Sequence, residues 1–351
     1  MLEFDNYFLI IYVFMSLVAF MVIALKPNNK TNKVLIVIFG IIWLFLFGFR
    51  HFDVGSDTRA YLFSYDAYLS SDGTFSIEQY KDFGYFLYMV LVSQISTSER
   101  LFVFLFDFLY LVPLMILFIK IKTQHIFLLF FCFCSFFFFK SMGINVVRQG
   151  ISLSFFLLGL FSFFENKKKK AYLFYFIGYL FHSSLLIAVL TFFLSERIKN
   201  IKLPLLIYFS ALVLSSVGLD FSLIITKIPI INVFFEERLQ AYFDYDETEY
   251  IVGFRLSFVI FNTIFALIGL YFSKKKISDS IPYYDKILYS YLILSAVFFL
   301  MFNLAFSDRT GILSWVLIPF LLMPIITMNK SGVNMWKLYF LSILMFVFFN
   351  V

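Results

Sequence analysis

The stretch VLIVIFGIIWLFLFGF, residues 34–49, is apolar throughout and ends abruptly in the polar sequence RHFDVGSDTRAYLFSYD, residues 50–66. A helix that crosses a bilayer needs about 20 predominantly apolar residues. Comparable apolar runs recur along the 351-residue chain, in which 62% of residues are hydrophobic and 14% are charged. Soluble domains carry about 25% charged residues. The sequence therefore predicts an all-α polytopic membrane protein with roughly 10 to 12 transmembrane helices plus re-entrant or interfacial helices.

Hydropathy places ten spans and leaves two apolar stretches ambiguous. Residues 83–97 are short enough to lie in the interface or to enter the membrane and return. Residues 171–194 have basic loops on both sides, which fits a re-entrant element lining a cavity. Two ordinary spans are the alternative for these stretches. We treat residues 1–351 as one multi-pass membrane domain. The ten spans lie near 7–25, 34–49, 101–119, 126–141, 146–164, 203–217, 253–272, 285–304, 310–327 and 336–350.

The lysine- and arginine-rich loops predict the orientation, because such loops favour the cytoplasmic side. Two longer segments, near 50–82 and 218–252, are rich in Asp and Glu and are expected outside the cytoplasm, as are both termini. The basic loops also account for the net charge of +6, so the lipid bilayer is the expected partner and nucleic acid is not. The basic loops lie at 26–33, 120–125, 165–170, 197–202 and 274–276.

Arg148 lies in an unusual place for a cation. Asn145 is a plausible N-cap for the span that follows, which puts Arg148 and Gln149 in its first turn. A cation at a helix N-terminus is disfavoured by about 0.3–1 kcal/mol. An anion held by the exposed N–H groups and the arginine would reverse this sign. Arg148 is therefore a candidate anion-binding residue.

Arg309 and Arg255 occupy equivalent positions at the outer starts of two later spans. Arg309 follows Asp308 at the start of span 310–327, and Arg255 enters span 253–272. Asp308 could neutralise Arg309, so a simple capping pair is the alternative interpretation there. Three arginines at outer helix starts nevertheless suggest a shared anionic ligand.

The polar stretch after residue 49 concentrates charge around Gly55. Gly55 permits a tight turn that would fold Asp53 and Asp57 back towards Arg50 and Arg59. Arg50 alone has another explanation, because a cation at a helix C-terminus is favoured by the helix dipole and can snorkel to the interface.

Asp57 also has a structural interpretation. It fits the N-cap of a short helix on which three tyrosines would share one face as an interfacial belt. Those residues are Tyr61, Tyr65 and Tyr68.

Two further groups are candidates. His182 lies in an apolar run beside two serines, and an intramembrane histidine is a functional candidate, although a hydrogen bond to a neighbouring helix explains it equally simply. Arg238, with Glu236 and Glu237, lies in a segment predicted to be an amphipathic helix on the membrane surface. A solvated face is the alternative for these three charges.

Several arginines on one outer face suit a diphosphate, because guanidinium groups clasp phosphate oxygens in a planar fork and stay charged. A diphosphate joined to a lipid would need such a site at a bilayer surface. The histidines show no pair at helical spacing, and no P-loop is present. We therefore expect no metal and no other cofactor.

The motifs FRHFDVGSDTRAY (49–61), NVVRQGISLSF (145–155) and YLFHSSLLIAVL (179–190), with an arginine near the start of a late span, resemble the EpsG-like and Wzy-type polysaccharide polymerases. The resemblance implies a metal-independent glycosyltransferase that joins undecaprenyl-diphosphate-linked oligosaccharide repeat units at the periplasmic face of the bacterial inner membrane. A chain-length regulator protein would be a further partner. By likeness, six residues match recurrent positions of the family: Arg50, Asp57, Arg148, Gln149, His182 and Arg309.

The chemistry suggests roles for these residues. Arg148 and Arg309 would stabilise the leaving diphosphate, while Arg50 positions it. The general base is expected among Asp57, Asp308 and His182. A transporter or flippase of lipid-linked oligosaccharide, or an O-antigen ligase, is the alternative function. The remaining residues expected to contact diphosphate or glycan are Asp53, Arg59, Gln149, Glu236, Glu237, Arg238 and Arg255.

Overall fold

The computed structural model describes residues 2–71, 82–219, 252–275, 281–327 and 333–350, and within these ranges the regular structure is helical. The described residues form two compact units, residues 1–186 with 325–351, and residues 187–324. The helices are α1 Leu2–Leu25, α2 Asn29–Gly48, α3 Thr58–Ser70, α4 Phe83–Ser93, α5 Glu99–Lys120, α6 Ile126–Cys134, α7 Phe137–Ile144, α8 Val147–Phe164, α9 Lys168–Phe181, α10 Leu185–Arg197, α11 Lys202–Ser216, α12 Leu256–Lys274, α13 Tyr284–Leu300, α14 Asp308–Trp315, α15 Ile318–Leu322, α16 Pro324–Thr327 and α17 Val333–Asn350.

The predicted multi-pass membrane class is confirmed. In the described part of the chain, six helical stretches are long and apolar enough to cross a membrane: α1, α2, α5, α8, α12 and residues 308–327. The pair α6 and α7 makes a seventh if it is counted as one span, bent by 68°. The total of ten to twelve spans stays a prediction.

Two predicted elements differ in detail from the structure. Residues 310–327 were expected to form one helix, but this span begins at Asp308 and is divided into the three short helices α14, α15 and α16. Pro319 and Pro324 lie at or next to the starts of the second and third pieces, where a missing N–H and a fixed φ interrupt a continuous helix. Residues 171–194 form α9 and α10 with a break at 182–184.

The first unit is built around α2, α5 and α8, with α9 packed along α8. Glycines permit that close packing, since small residues let helix backbones approach in membranes. A Cβ on Gly159 would lie 2.4 Å from the ring of Tyr175, and one on Gly178 would lie 2.8 Å from the carbonyl oxygen of Ser152. The core of this unit positions the loop between α2 and α3 and the turn between α7 and α8.

The second unit pairs α13 with α11, α12 and α14. Lys286 connects α13 to the end of α10. The Nζ of Lys286 donates to the carbonyl oxygens of Ser195, Glu196 and Ile198 at 3.1, 2.8 and 3.0 Å, which caps the C-terminal end of α10. Carbonyls at a helix C-terminus lack partners within the helix, so the lysine replaces water there.

Candidate functional site

Arg50, expected to snorkel or to contact phosphate, is buried. Its side chain is 1% exposed and forms an ion pair with the completely buried carboxylate of Asp107 in α5. Its Nη1 also donates to the carbonyl of Phe47 at 2.7 Å, and its Nη2 donates to the Oγ1 of Thr58 at 3.2 Å. The snorkelling interpretation is wrong, because a carboxylate on a neighbouring helix offers the guanidinium a charged partner inside the protein. Arg50 joins the end of α2, the start of α3 and the middle of α5.

Asp107 was not among the residues singled out from the sequence, although it carried a signal. It lies in the middle of the apolar run 101–119, and acidic residues inside membrane spans are rare and usually paired. A carboxylate at that depth needs a charged or hydrogen-bonding partner inside the protein. The partner could not be named from sequence because it lies 57 residues away.

The loop between α2 and α3 lies against the turn between α7 and α8. Gly55 has φ +89°, and a Cβ there would lie 2.0 Å from the carbonyl oxygen of Ile144. The backbone N–H of Ser56 donates to the Oδ1 of Asn145 at 2.9 Å, and Thr58 Oγ1 donates to the carbonyl of Ile144 at 3.2 Å. Gly55 is therefore required both for its conformation and for the close approach.

The predicted role of Asn145 is thereby corrected. The N-cap position of α8 is occupied by Val146, which makes no side-chain capping bond, while Asn145 follows the last residue of α7. The Asn145 side chain instead accepts the hydrogen bond from the loop at Ser56. An amide at this position ties two segments together that are far apart in sequence.

The predicted turn around Gly55 brings together only some of the charges. Asp53 pairs with Arg59 and with His51, whose Nδ1 lies 3.1 Å from the carboxylate. The hydrogen bond from Arg59 lowers the pKa of Asp53. Both side chains are substantially exposed. The charged loop thus contains one partner of a buried ion pair, Arg50 with Asp107, and an exposed ion pair, Asp53 with Arg59.

Asp57 occupies the N-cap position of α3, as predicted, but makes no capping hydrogen bond with its side chain. Its backbone has helical φ and ψ values, and its Oδ1 accepts a hydrogen bond from the hydroxyl of Ser56 at 3.1 Å. The expected interfacial belt is wrong for Tyr61 and Tyr65, which are buried at 6% and 0% exposure. These rings pack against α4 and α5 because α3 is covered on that face.

Arg148 lies in the first turn of α8, as predicted, and its guanidinium is held by three groups. Its Nη1 lies 3.0 Å from Asp82 Oδ2, and its Cζ lies 5.5 and 5.3 Å from the ring centroids of Tyr61 and Tyr85. The carboxylate of Asp82 is 1% exposed, whereas Arg148 retains 31% exposure. The anion expected near this helix start is therefore supplied in part by the protein itself. Asp82 was not identified from the sequence.

Gln149 and His182 occupy different environments. Gln149, in the same turn as Arg148, is 2% exposed. His182 was expected to be buried in an apolar run, but it is half-buried and lies at the break between α9 and α10. Its Nδ1 lies 2.6 Å from the Oγ of Ser184. The histidine thus sits on irregular backbone, as a cavity-lining element would require.

The second unit carries two further arginines of the predicted site. Arg309 lies beside Asp308 in the first turn of α14, with its Cζ 4.8 Å from the ring centroid of Phe306. Arg255 immediately precedes α12, with its Cζ 5.5 Å from the ring of Phe258. Both predicted positions at helix starts are confirmed. Glu236, Glu237 and Arg238 lie outside the described residues.

The first unit therefore brings together most of the predicted site residues. Its loop holds the exposed pair of Asp53 and Arg59 and is hydrogen-bonded to Asn145, three residues before Arg148. The arrangement offers an oriented, partly exposed guanidinium at a helix N-terminus, a combination that binds anions. Nearby carboxylates, Asp53 and Asp57, could interact with hydroxyl groups. Among the described residues, no three His, Cys, Asp or Glu side chains are grouped as metal ligands.

The chain matches the model of one protein family, described as the EpsG family, over residues 33–351. The match covers the loop at residues 50–57, the start of α8 and the helices of the second unit. No curated protein and no solved structure matches the chain.

Proposed function

Because the chain belongs to the EpsG family, we propose that this multi-pass membrane protein is a polysaccharide polymerase that joins undecaprenyl-diphosphate-linked oligosaccharide repeat units. The reaction would take place at the periplasmic face of the bacterial inner membrane, with a chain-length regulator as a partner. The observation that best supports the proposal is Arg148. It is a partly exposed guanidinium at a helix start, oriented by a buried carboxylate and two tyrosine rings.

The mechanism follows from the leaving group. A glycosyl diphosphate is already activated, so bond cleavage requires that the charge developing on the diphosphate be stabilised. Arg148 would supply that stabilisation without reorganising, since Asp82 fixes one edge of its guanidinium. Arg309, in the second unit, stays a separate candidate for the same role. The glycosidic bond to the diphosphate breaks, a bond to an acceptor hydroxyl forms, and the hydroxyl proton passes to a base.

Three residues are candidates for that base. Asp57 lies in the loop beside the α7–α8 turn, His182 lies at the α9–α10 break, and Asp308 lies beside Arg309. Asp57 is favoured because the loop that carries it is hydrogen-bonded directly to the turn preceding Arg148. Replacing Asp57 by Asn should lower kcat and leave the KM for the donor nearly unchanged.

The decisive experiment uses the purified protein in liposomes with an undecaprenyl-diphosphate-linked repeat unit. We expect the wild type to produce a polymer ladder on a gel and Arg148→Lys to lose it, because an ammonium group cannot reproduce the planar fork. Arg197→Lys, at the exposed end of α10, is the matched control and should retain the ladder. A normal ladder from Arg148→Lys would remove this residue from the mechanism.

Gene deletion separates the alternative functions. A missing polymerase leaves single repeat units on the periplasmic lipid carrier. A missing flippase leaves them on the cytoplasmic side, and a missing ligase leaves a finished polymer on the carrier.

The proposed metal independence needs its own test, because the sequence holds an Asp-Tyr-Asp triplet at residues 244–246. Such a pair of carboxylates could bind a divalent cation. We expect polymer formation to continue in excess EDTA. Loss of activity in EDTA, restored by Mg²⁺ or Mn²⁺, would contradict this part of the proposal.

A further inference from the structure

An open groove lies between α1 and α2, at the end where the loop to α3 leaves the helices. Its volume is about 860 Å³. Apolar side chains form its walls: Tyr7 and Ile11 on α1, Ile41 and Phe45 on α2, and Phe49 directly after α2. Because a helix rises about 1.5 Å per residue, the wall from Ile41 to Phe49 is about 12 Å long. That length approaches the roughly 15 Å depth of one leaflet of a bilayer core about 30 Å thick.

The charged residues that line the groove, Arg50, Arg100, His51 and Glu3, lie at the end next to the loop. Arg100 is held in place there. Its Nη1 donates to the carbonyl of Arg50, and its guanidinium lies 4.2 Å from the ring centroid of Phe52. Arg100 gives this end a cation beside the carboxylate of Glu3, so an occupant that fits is apolar over most of its length and places an anionic group next to Arg100.

We propose that this α1–α2 groove holds the first part of the isoprenoid chain of the polyprenyl diphosphate carrier, with Arg100 contacting its phosphate. The inference rests on the proposed function and assigns the carrier lipid a place in this chain. An apolar chain in the groove would be covered on two sides by helices, while the charged end stays at the helix termini, where the membrane interface lies.

The polar end of the groove is continuous with the site already described. Arg100 donates to the carbonyl of Arg50, and Arg50 begins the loop whose Ser56 is hydrogen-bonded to Asn145 before Arg148. A lipid anchored in the groove would therefore extend its diphosphate towards the loop that contacts the start of α8. This continuity favours the diphosphate carrier over an ordinary phospholipid as the occupant.

Photolabelling tests the proposal on the full-length wild-type protein in nanodiscs. The probe is a polyprenyl diphosphate with a diazirine in an isoprene unit near the diphosphate, and labelled peptides are identified by mass spectrometry. We expect labelling of the walls of the groove in α1 and α2. Unlabelled undecaprenyl diphosphate should reduce this labelling at least tenfold, whereas the same concentration of phosphatidylglycerol should leave it unchanged.

A matched pair of variants links the groove to turnover. Ile41→Trp places a bulky ring in the wall, whereas Ile10→Trp makes the same change at an exposed α1 position outside the groove. Ile41→Trp should raise the KM for the lipid-linked donor about tenfold with kcat within twofold of the wild type. Ile10→Trp should leave both constants unchanged.

The outcomes separate this inference from the proposed function. Equal competition by phosphatidylglycerol, labelling outside the groove, or equal kinetics of the two variants would overturn the groove assignment while polymerisation continues. Absence of polymer from the wild type would contradict the proposed function. In that case, carrier-specific labelling of the groove would still support the lipid site, and unspecific labelling would refute it.

Discussion

The ion pair between Arg50 and Asp107 provides the sharpest prediction for stability. Asp107→Asn removes the charge of a carboxylate with no exposure and leaves the buried guanidinium without its counter-ion. Breaking one partner of a buried pair costs about 3–5 kcal/mol, whereas replacing both by apolar residues of similar volume is often neutral. We therefore expect Asp107→Asn to lower the free energy of unfolding by about 3–5 kcal/mol, and Arg50→Met with Asp107→Leu to recover most of this loss.

The assay is equilibrium unfolding in mixed micelles, followed by the near-ultraviolet signal of the aromatic core. Asp66→Asn is the matched control, because the same change there affects an exposed carboxylate on α3. It should change the unfolding free energy by less than about 0.5 kcal/mol.

Two results would refute the reasoning. The unfolding free energy of Asp107→Asn could lie within about 1 kcal/mol of the wild type, which would show that the charge of Asp107 contributes little to stability. Alternatively, the double variant could be as unstable as the single one, which would show that the loss comes from packing and not from the uncompensated charge. The polymerase assay on the stable double variant then reports whether Arg50 has any role besides holding the loop.

Three further predictions concern the loop and the orientation of the chain. Gly55→Ala should cost clearly more stability than Gly218→Ala, because both residues have positive φ but only Gly55 has a backbone atom within 4 Å of the added Cβ; equal losses in thermal unfolding would contradict the close approach. The hydrogen bond from Arg59 holds the pKa of Asp53 below its unfolded value of about 3.9, so the ionised carboxylate stabilises the fold at higher pH. The difference in unfolding free energy between the wild type and Asp53→Asn should therefore persist from pH 5 to 8 and shrink as the pH falls below 4. Cysteine at Ala60 should react with a membrane-impermeant reagent added outside, and cysteine at Lys168 should not; both sites are exposed, and the reverse pattern would invert the predicted topology.

The helical membrane fold could be predicted because apolar run lengths are a local property. Residues 34–49 and 101–119 correspond to helices that extend only a few residues further, Asn29–Gly48 and Glu99–Lys120. The 68° bend between α6 and α7 could not be predicted, since residues 126–141 are apolar on both sides of it. A break inside a uniformly apolar run depends on packing, which hydropathy does not report.

The sequence indicates the arginines of the candidate site but not the carboxylates that pair with them. A cation at a helix start needs an anion, and Arg148 has one in the structure. The anion present is Asp82, 66 residues away in sequence. Asp107 is similarly remote from Arg50. Long-range pairs of this kind depend on which helices become neighbours. A single sequence does not specify these neighbours.

The division of the charged loop into a buried and an exposed pair affects how its variants are interpreted. We expect the loss of Arg50 to abolish activity whether or not Arg50 touches substrate, because it fixes the loop that adjoins the start of α8. Arg59 and Asp53 are exposed and can be changed at small cost in stability, since solvent screens surface ion pairs. Activity losses at these exposed residues, with stability unchanged, would therefore identify substrate contacts. A loss of activity at Arg50 identifies a substrate contact only if the Arg50→Met, Asp107→Leu protein folds normally and remains inactive.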